Sequence, residues 1–122
     1  MIGQAHVLVL VEDHDATRTA MTRLLASHGW DVRAAATVAE GMALLEADPD
    51  AILLDLMLPD GDGEEVLRRA KARGMRARVA IATATGDEDR INAARGLGAD
   101  AVLLKPVTFD DVRRVFEAET VA

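Results

Sequence analysis

The chain has 122 residues, no cysteine and a formal net charge of −7. That length makes one domain with a real core, the missing thiols exclude disulfides and thiolate metal sites, and the acidic balance argues against nonspecific nucleic-acid binding while suiting a divalent cation. No apolar run approaches the roughly 18 residues of a membrane span, and "MIGQAH" lacks the features of a signal peptide, so the protein is expected in the cytoplasm, with no membrane partner.

In chain order, "VLVLV" (Val7 to Val11) predicts a strand that runs into Glu12-Asp13. His14 follows them and is expected to be an exposed loop ring with no chemical role. "ATRTAMTRLLASHG" sets Met21, Leu24, Leu25 and His28 on one helical side, with Gly29 as the stop. Trp30 opens the second strand, "VRAAA" (Val32 to Ala36), and so belongs at the end of the sheet away from Asp55. "TVAEGMALLEA" begins with Thr37 and Glu40 at capping-box spacing and closes at Asp48-Pro49. "AILLD" predicts a third strand ending at Asp55, and the turn-rich "LMLPDGDG" comes next. Met42 and Met57 are expected to pack rather than react. "EEVLRRAKARG" reads as a helix. Six of the 14 positive charges lie from Arg68 to Arg78, which suits a solvated helix end better than a docking patch. "VAIAT" (Val79 to Thr83), the helical "DEDRINAARGLG", "AVLLK" (Ala101 to Lys105) and "TFDDVRRVFEAE", with Thr108 as N-cap, complete the chain.

Five apolar runs alternate with five amphipathic ones. The runs are too continuous for strands with one wet face, so a parallel, doubly wound α/β sheet covered on both faces is expected, as a single domain over residues 1–122. In such a sheet the carboxyl ends of the strands form the ligand-binding edge. Glu12-Asp13, Asp55, Thr83 and Lys105-Pro106 stand at those ends. Three crowded carboxylates require either a proton or a cation among them, and hard oxygen donors favour Mg²⁺. A carboxylate nucleophile with a hydroxyl and an ammonium beside it is the equipment of phosphoryl transfer.

The stretches "VLVLVEDH", "ILLDLMLPDGDG", "VAIATATG" and "GADAVLLKP" stand in order, with 28 residues from Asp55 to Thr83 and 50 from Asp55 to Lys105. Through them nearly the whole chain resembles the response-regulator receiver domain of two-component signalling. The resemblance implies a flavodoxin-like five-stranded fold of order 2-1-3-4-5. It implies that Asp55 accepts a phosphoryl group from a phosphohistidine of a sensor histidine kinase or phosphotransfer protein. Asp13, Asp55 and the Met57 backbone carbonyl would ligate Mg²⁺, with Glu12 acting through water. Thr83 and Lys105 would take the switch and phosphate-contact roles, Pro59 and Gly63 would shape the loop, and the phosphorylated chain could form a homodimer. Such a domain catalyses only its own phosphorylation and dephosphorylation. Two other classes stay open: an Mg²⁺-dependent aspartyl-phosphate phosphohydrolase, against which stands Met57 two residues after Asp55, and an interaction module that is never phosphorylated.

The sequence departs from the family where an aromatic is common, at Val102 and Val107, and where Ala101 replaces an acid used in some receiver dimers. Val102 is short and stiff at χ1 and cannot sweep the volume of a ring. The response to phosphate is therefore expected to be small around the fourth helix, fifth strand and fifth helix, and concentrated in the loop from Thr85 to Asp89.

Overall fold

In a computed structural model, which describes residues 6–84, 86 and 88–117, the five apolar runs pair as one parallel sheet. The elements are β1 (Val7–Val11), α1 (Asp15–Ser27), β2 (Asp31–Ala35), α2 (Val38–Leu44) with a following 3₁₀ turn (Leu45–Ala47), and β3 (Ala51–Asp55). A short ribbon of β4 (Met57–Leu58) and β5 (Gly61–Asp62) precedes α3 (Glu64–Ala72), β6 (Arg78–Thr83), α4 (Glu88–Gly96), β7 (Ala101–Leu104) and α5 (Phe109–Phe116). The sheet order is β2-β1-β3-β6-β7, which is 2-1-3-4-5 when only the parallel strands are numbered. The fold is therefore the flavodoxin-like α/β architecture expected.

Alternation along the strands builds two apolar layers. Val9, Val11, Ile52, Leu54, Val79 and Ile81 pack with Val66, Leu67 and Ala70 of α3 and Ala94 of α4. Leu8, Leu10, Leu53 and Ala80 face the other way, toward Leu25 of α1 and Val112 of α5. Double coverage holds for the central strands only. On the edges, Arg33 and Ala34 of β2 are exposed, and Leu104 of β7 is 61% exposed.

Several local expectations are corrected. In α1, Leu25 is fully buried and Met21 partly so, but Leu24 faces outward. His28 is the C-cap of that helix, and its ring stacks on Phe109 at a centroid distance of 3.8 Å. His14 is exposed as expected but is not idle: it is the N-cap of α1, with Nδ1 accepting from the Thr17 N–H. Met57 does not pack, since it is 64% exposed while its backbone pairs with Asp62. Thr37 caps α2 by accepting from the Glu40 N–H, but the Glu40 carboxylate turns back to the Ala36 N–H, one residue before the cap. A reciprocal capping box does form at α5, between Thr108 and Asp111. Of the loop from Thr85 to Asp89, Thr85 and Asp87 lie outside the described residues.

Two glycines set close approaches. Gly41 brings α2 against Val11, whose Cγ2 would lie 2.9 Å from a Cβ on that residue. At Gly63 a Cβ would overlap the carbonyl oxygen of Asp55 itself. That obstacle is backbone at the end of a buried strand, so it cannot swing aside. Gly63→Ala is expected to lose about 3 kcal/mol of stability, the upper part of the range for overpacking. Urea unfolding measures it, and a loss below about 1 kcal/mol would mean that the loop moves freely away from Asp55.

Candidate functional site

Parallel pairing brings the carboxyl ends of β1, β3, β6 and β7 to one rim, and the chemistry-bearing residues stand there. Asp55 is the last residue of β3 and Thr83 the last of β6; Glu12-Asp13 and Lys105 immediately follow β1 and β7. The Lys105 N–H bonds to the Thr83 carbonyl at 2.9 Å, so the last two strand ends are joined at the site.

The carboxylates are fixed from behind. The Glu12 N–H bonds to the Ala35 carbonyl, and Oε2 of Glu12 accepts from the His14 N–H at 3.0 Å. Arg18, from α1, donates to the carbonyl of Glu12 at 2.9 Å and to the Asp15 carboxylate at 2.6 Å, which braces the turn that carries the acidic pair. Asp55 accepts from the Met57 N–H through Oδ1 at 3.1 Å. Glu12 and Asp55 are buried, while Asp13 is exposed. One oxygen from each of the three lies within 4.8 Å of the others.

The Lys105 ammonium bridges two of them, at 2.8 Å from Oε1 of Glu12 and 2.7 Å from Oδ2 of Asp55. Burial is the largest single influence on this ammonium and opposes its charge. The hydrogen bonds and Coulomb attraction of Asp55 and Glu12 together outweigh it and raise the pKa above the usual lysine value. Beside the ion pair, Leu10, Met21, Leu53, Ala82 and Val107 line a largely apolar cavity of about 340 Å³. Such walls keep the local dielectric low and strengthen the contacts among the charges.

Each residue singled out in the sequence thus has a definite place. Lys105 meets Glu12 and Asp55 directly, and Asp13 offers an oxygen within 4.8 Å of theirs. Thr83 is buried at the adjacent strand end, and Met57 leaves the site on the β4–β5 ribbon. Trp30 lies at the opposite end of the sheet, beside His6 and Phe116. Arg18, Asp60 and the Arg90–Asp62 ion pair at 2.8 Å also shape the rim, and none was singled out from sequence. Among the described residues no helix is long and apolar enough to cross a membrane.

The comparisons with known proteins agree with this fold. The profile of the response regulator receiver domain family matches residues 8–117. The transcriptional regulatory protein AfsQ1 of Streptomyces coelicolor is 42% identical over 101 residues, covering 82% of this chain and 44% of that protein. The chain therefore spans less than half the length of that relative. Sporulation initiation phosphotransferase F of Bacillus subtilis is 31% identical over 107 residues, covering 87% of this chain and 86% of that one. The crystal structure of a CheY-like receiver domain protein from Methanospirillum hungatei superposes with a TM-score of 0.87 at 27% identity, covering 95% and 94% of the two chains. This chain belongs to the response-regulator receiver domain family of two-component signalling.

Proposed function

We propose that residues 1–122 act as one cytoplasmic receiver domain in which Asp55 accepts a phosphoryl group from the phosphohistidine of a sensor histidine kinase or phosphotransfer protein. The observation that carries this reading is the placement of a carboxylate at the end of a buried strand, against a lysine ammonium and within 4.8 Å of two more carboxylates. An all-oxygen donor set of this kind fits a hard divalent ion. Asp13, Asp55 and the Met57 carbonyl would hold Mg²⁺, with Glu12 acting through water. Bound there, the ion supplies positive charge opposite the carboxylates and the phosphoryl oxygens.

The chain's own residues do the rest. A carboxylate oxygen of Asp55 forms the new O–P bond as the P–N bond to the donor imidazole breaks. The imidazole nitrogen keeps the electron pair and takes a proton from solvent. Lys105, which grips Asp55 beforehand, transfers its contact to a phosphoryl oxygen, and the Thr83 hydroxyl hydrogen-bonds to another. Those new contacts exist only in the phosphorylated state, so they can bias a two-state equilibrium, including self-association. Val102 is half-buried against the layer formed with α3 and α4, which supports a response weighted toward the loop after Thr83.

Incubation with Mg²⁺ and a small acyl phosphate tests the function. One phosphoryl group per chain is the expected result. Continuous phosphate release without accumulation would mean a hydrolase, and no labelling would mean an interaction module.

A further inference from the structure

The loop that leaves Asp55 is held by a helix some twenty residues earlier in the chain. Its ribbon has only two residue pairs, Met57 with Asp62 and Leu58 with Gly61. A ribbon that short does not maintain its own geometry in water. Asp60, at its tip, reaches the first turn of α2: Oδ1 accepts from the Val38 N–H at 2.7 Å and Oδ2 from the Ala39 N–H at 3.1 Å. Thr37 accepts from the Glu40 N–H. The first three N–H groups of the helix, which it cannot satisfy itself, are thereby covered, two of them by the ribbon. The two backbone donors hold the Asp60 carboxyl below the usual aspartate value, although the residue is exposed. Gly61 continues the contact, since a Cβ there would lie 3.8 Å from Cγ2 of Val38.

We propose that Asp60 is a positioning residue for the metal site: by pinning the ribbon tip to α2, it fixes the Met57 backbone that supplies one ligand. This rests on the reading of Asp13, Asp55 and the Met57 carbonyl as Mg²⁺ ligands. Both Asp60 carboxylate oxygens are turned to α2, on the Val38 and Ala39 N–H groups. Groups that orient a metal ligand typically matter by about tenfold or more in affinity, and that sets the expected scale.

The test is a calorimetric Mg²⁺ titration of the full chain, with melting in EDTA measured alongside. Asp60→Ala is expected to weaken Mg²⁺ binding by about tenfold. Thr37→Ala removes a cap from the same helix without touching the ribbon. It is expected to lower the melting temperature comparably while leaving Mg²⁺ affinity unchanged. Asp60→Asn keeps an acceptor for the Val38 N–H and should fall between wild type and alanine, which preserves the comparison if the alanine variant melts too low to titrate. If wild type binds and both Asp60 variants bind as tightly, the positioning role is wrong. It is equally wrong if Thr37→Ala weakens binding as much as Asp60→Ala, because α2 stability alone would then explain the loss. If wild type shows no saturable binding, the metal reading itself falls and takes this role with it.

Discussion

Asp55→Asn is expected to abolish phosphoryl labelling by a small acyl phosphate in the presence of Mg²⁺, with no other site taking over. Asparagine keeps the shape of the side chain and an oxygen for the Met57 N–H, so the loop should stay in place. It removes the anionic nucleophile. The two neighbouring carboxylates are poor substitutes for different reasons. Glu12 is buried and held twice, by Lys105 and by the His14 N–H, so its oxygens are committed to the fold. Asp13 is exposed and accessible, but it is not the carboxylate that Lys105 grips. A phosphoryl group arriving there would lack the ammonium that offsets its charge. Intact-mass measurement of both proteins decides the matter. Labelling of Asp55→Asn equal to wild type would move the acceptor to Asp13 or Glu12 and overturn the assignment.

The rim was legible because chain direction alone placed it. Once five apolar runs were read as parallel strands, Glu12-Asp13, Asp55, Thr83 and Lys105 had to share one edge, whatever the details of packing. Strand limits differed by a residue because the register with a neighbour decides them: Asp31 joins β2 by pairing with Val7. What stayed hidden depends on contacts distant in sequence. Nothing in "LPDGDG" says that Asp60 caps a helix beginning 22 residues earlier, or that Asp62 meets Arg90 of α4. Helical spacing put Leu24 and Leu25 on the same side of α1, and only the narrow contact of that helix with the sheet chose Leu25. Met57 is 64% exposed although it is apolar, because apolar character predicts burial only statistically. The role of His14 does not show in the sequence because histidine is an uncommon cap, although its ring nitrogen can accept as an aspartate would.

Lys105→Met should show that the ammonium holds the metal-free fold together as well as meeting phosphate. Methionine retains much of the stem's apolar volume and removes the charge. Glu12 and Asp55 are then left buried beside each other with no cation between them, and the Lys105 side chain they lose is only 26% exposed. Breaking a buried pair costs about 3–5 kcal/mol, and partial exposure scales this to about 2 kcal/mol in EDTA at neutral pH. The pH dependence separates this cause from lost packing. In wild type the lysine pKa is raised above 10.5, so the stabilisation is present below that value and disappears as pH climbs through the folded pKa. The deficit relative to wild type should therefore be full at neutral pH and shrink as pH climbs beyond 10.5. Mg²⁺ should raise the melting temperature of the variant more than that of wild type, because the ion relieves a repulsion that Lys105 otherwise relieves. Urea titrations across pH in EDTA provide the measurement. A deficit that stays constant from neutral pH to well above 10.5 would assign the role of Lys105 to its aliphatic stem, and the ion pairs at 2.7 and 2.8 Å would then contribute nothing net.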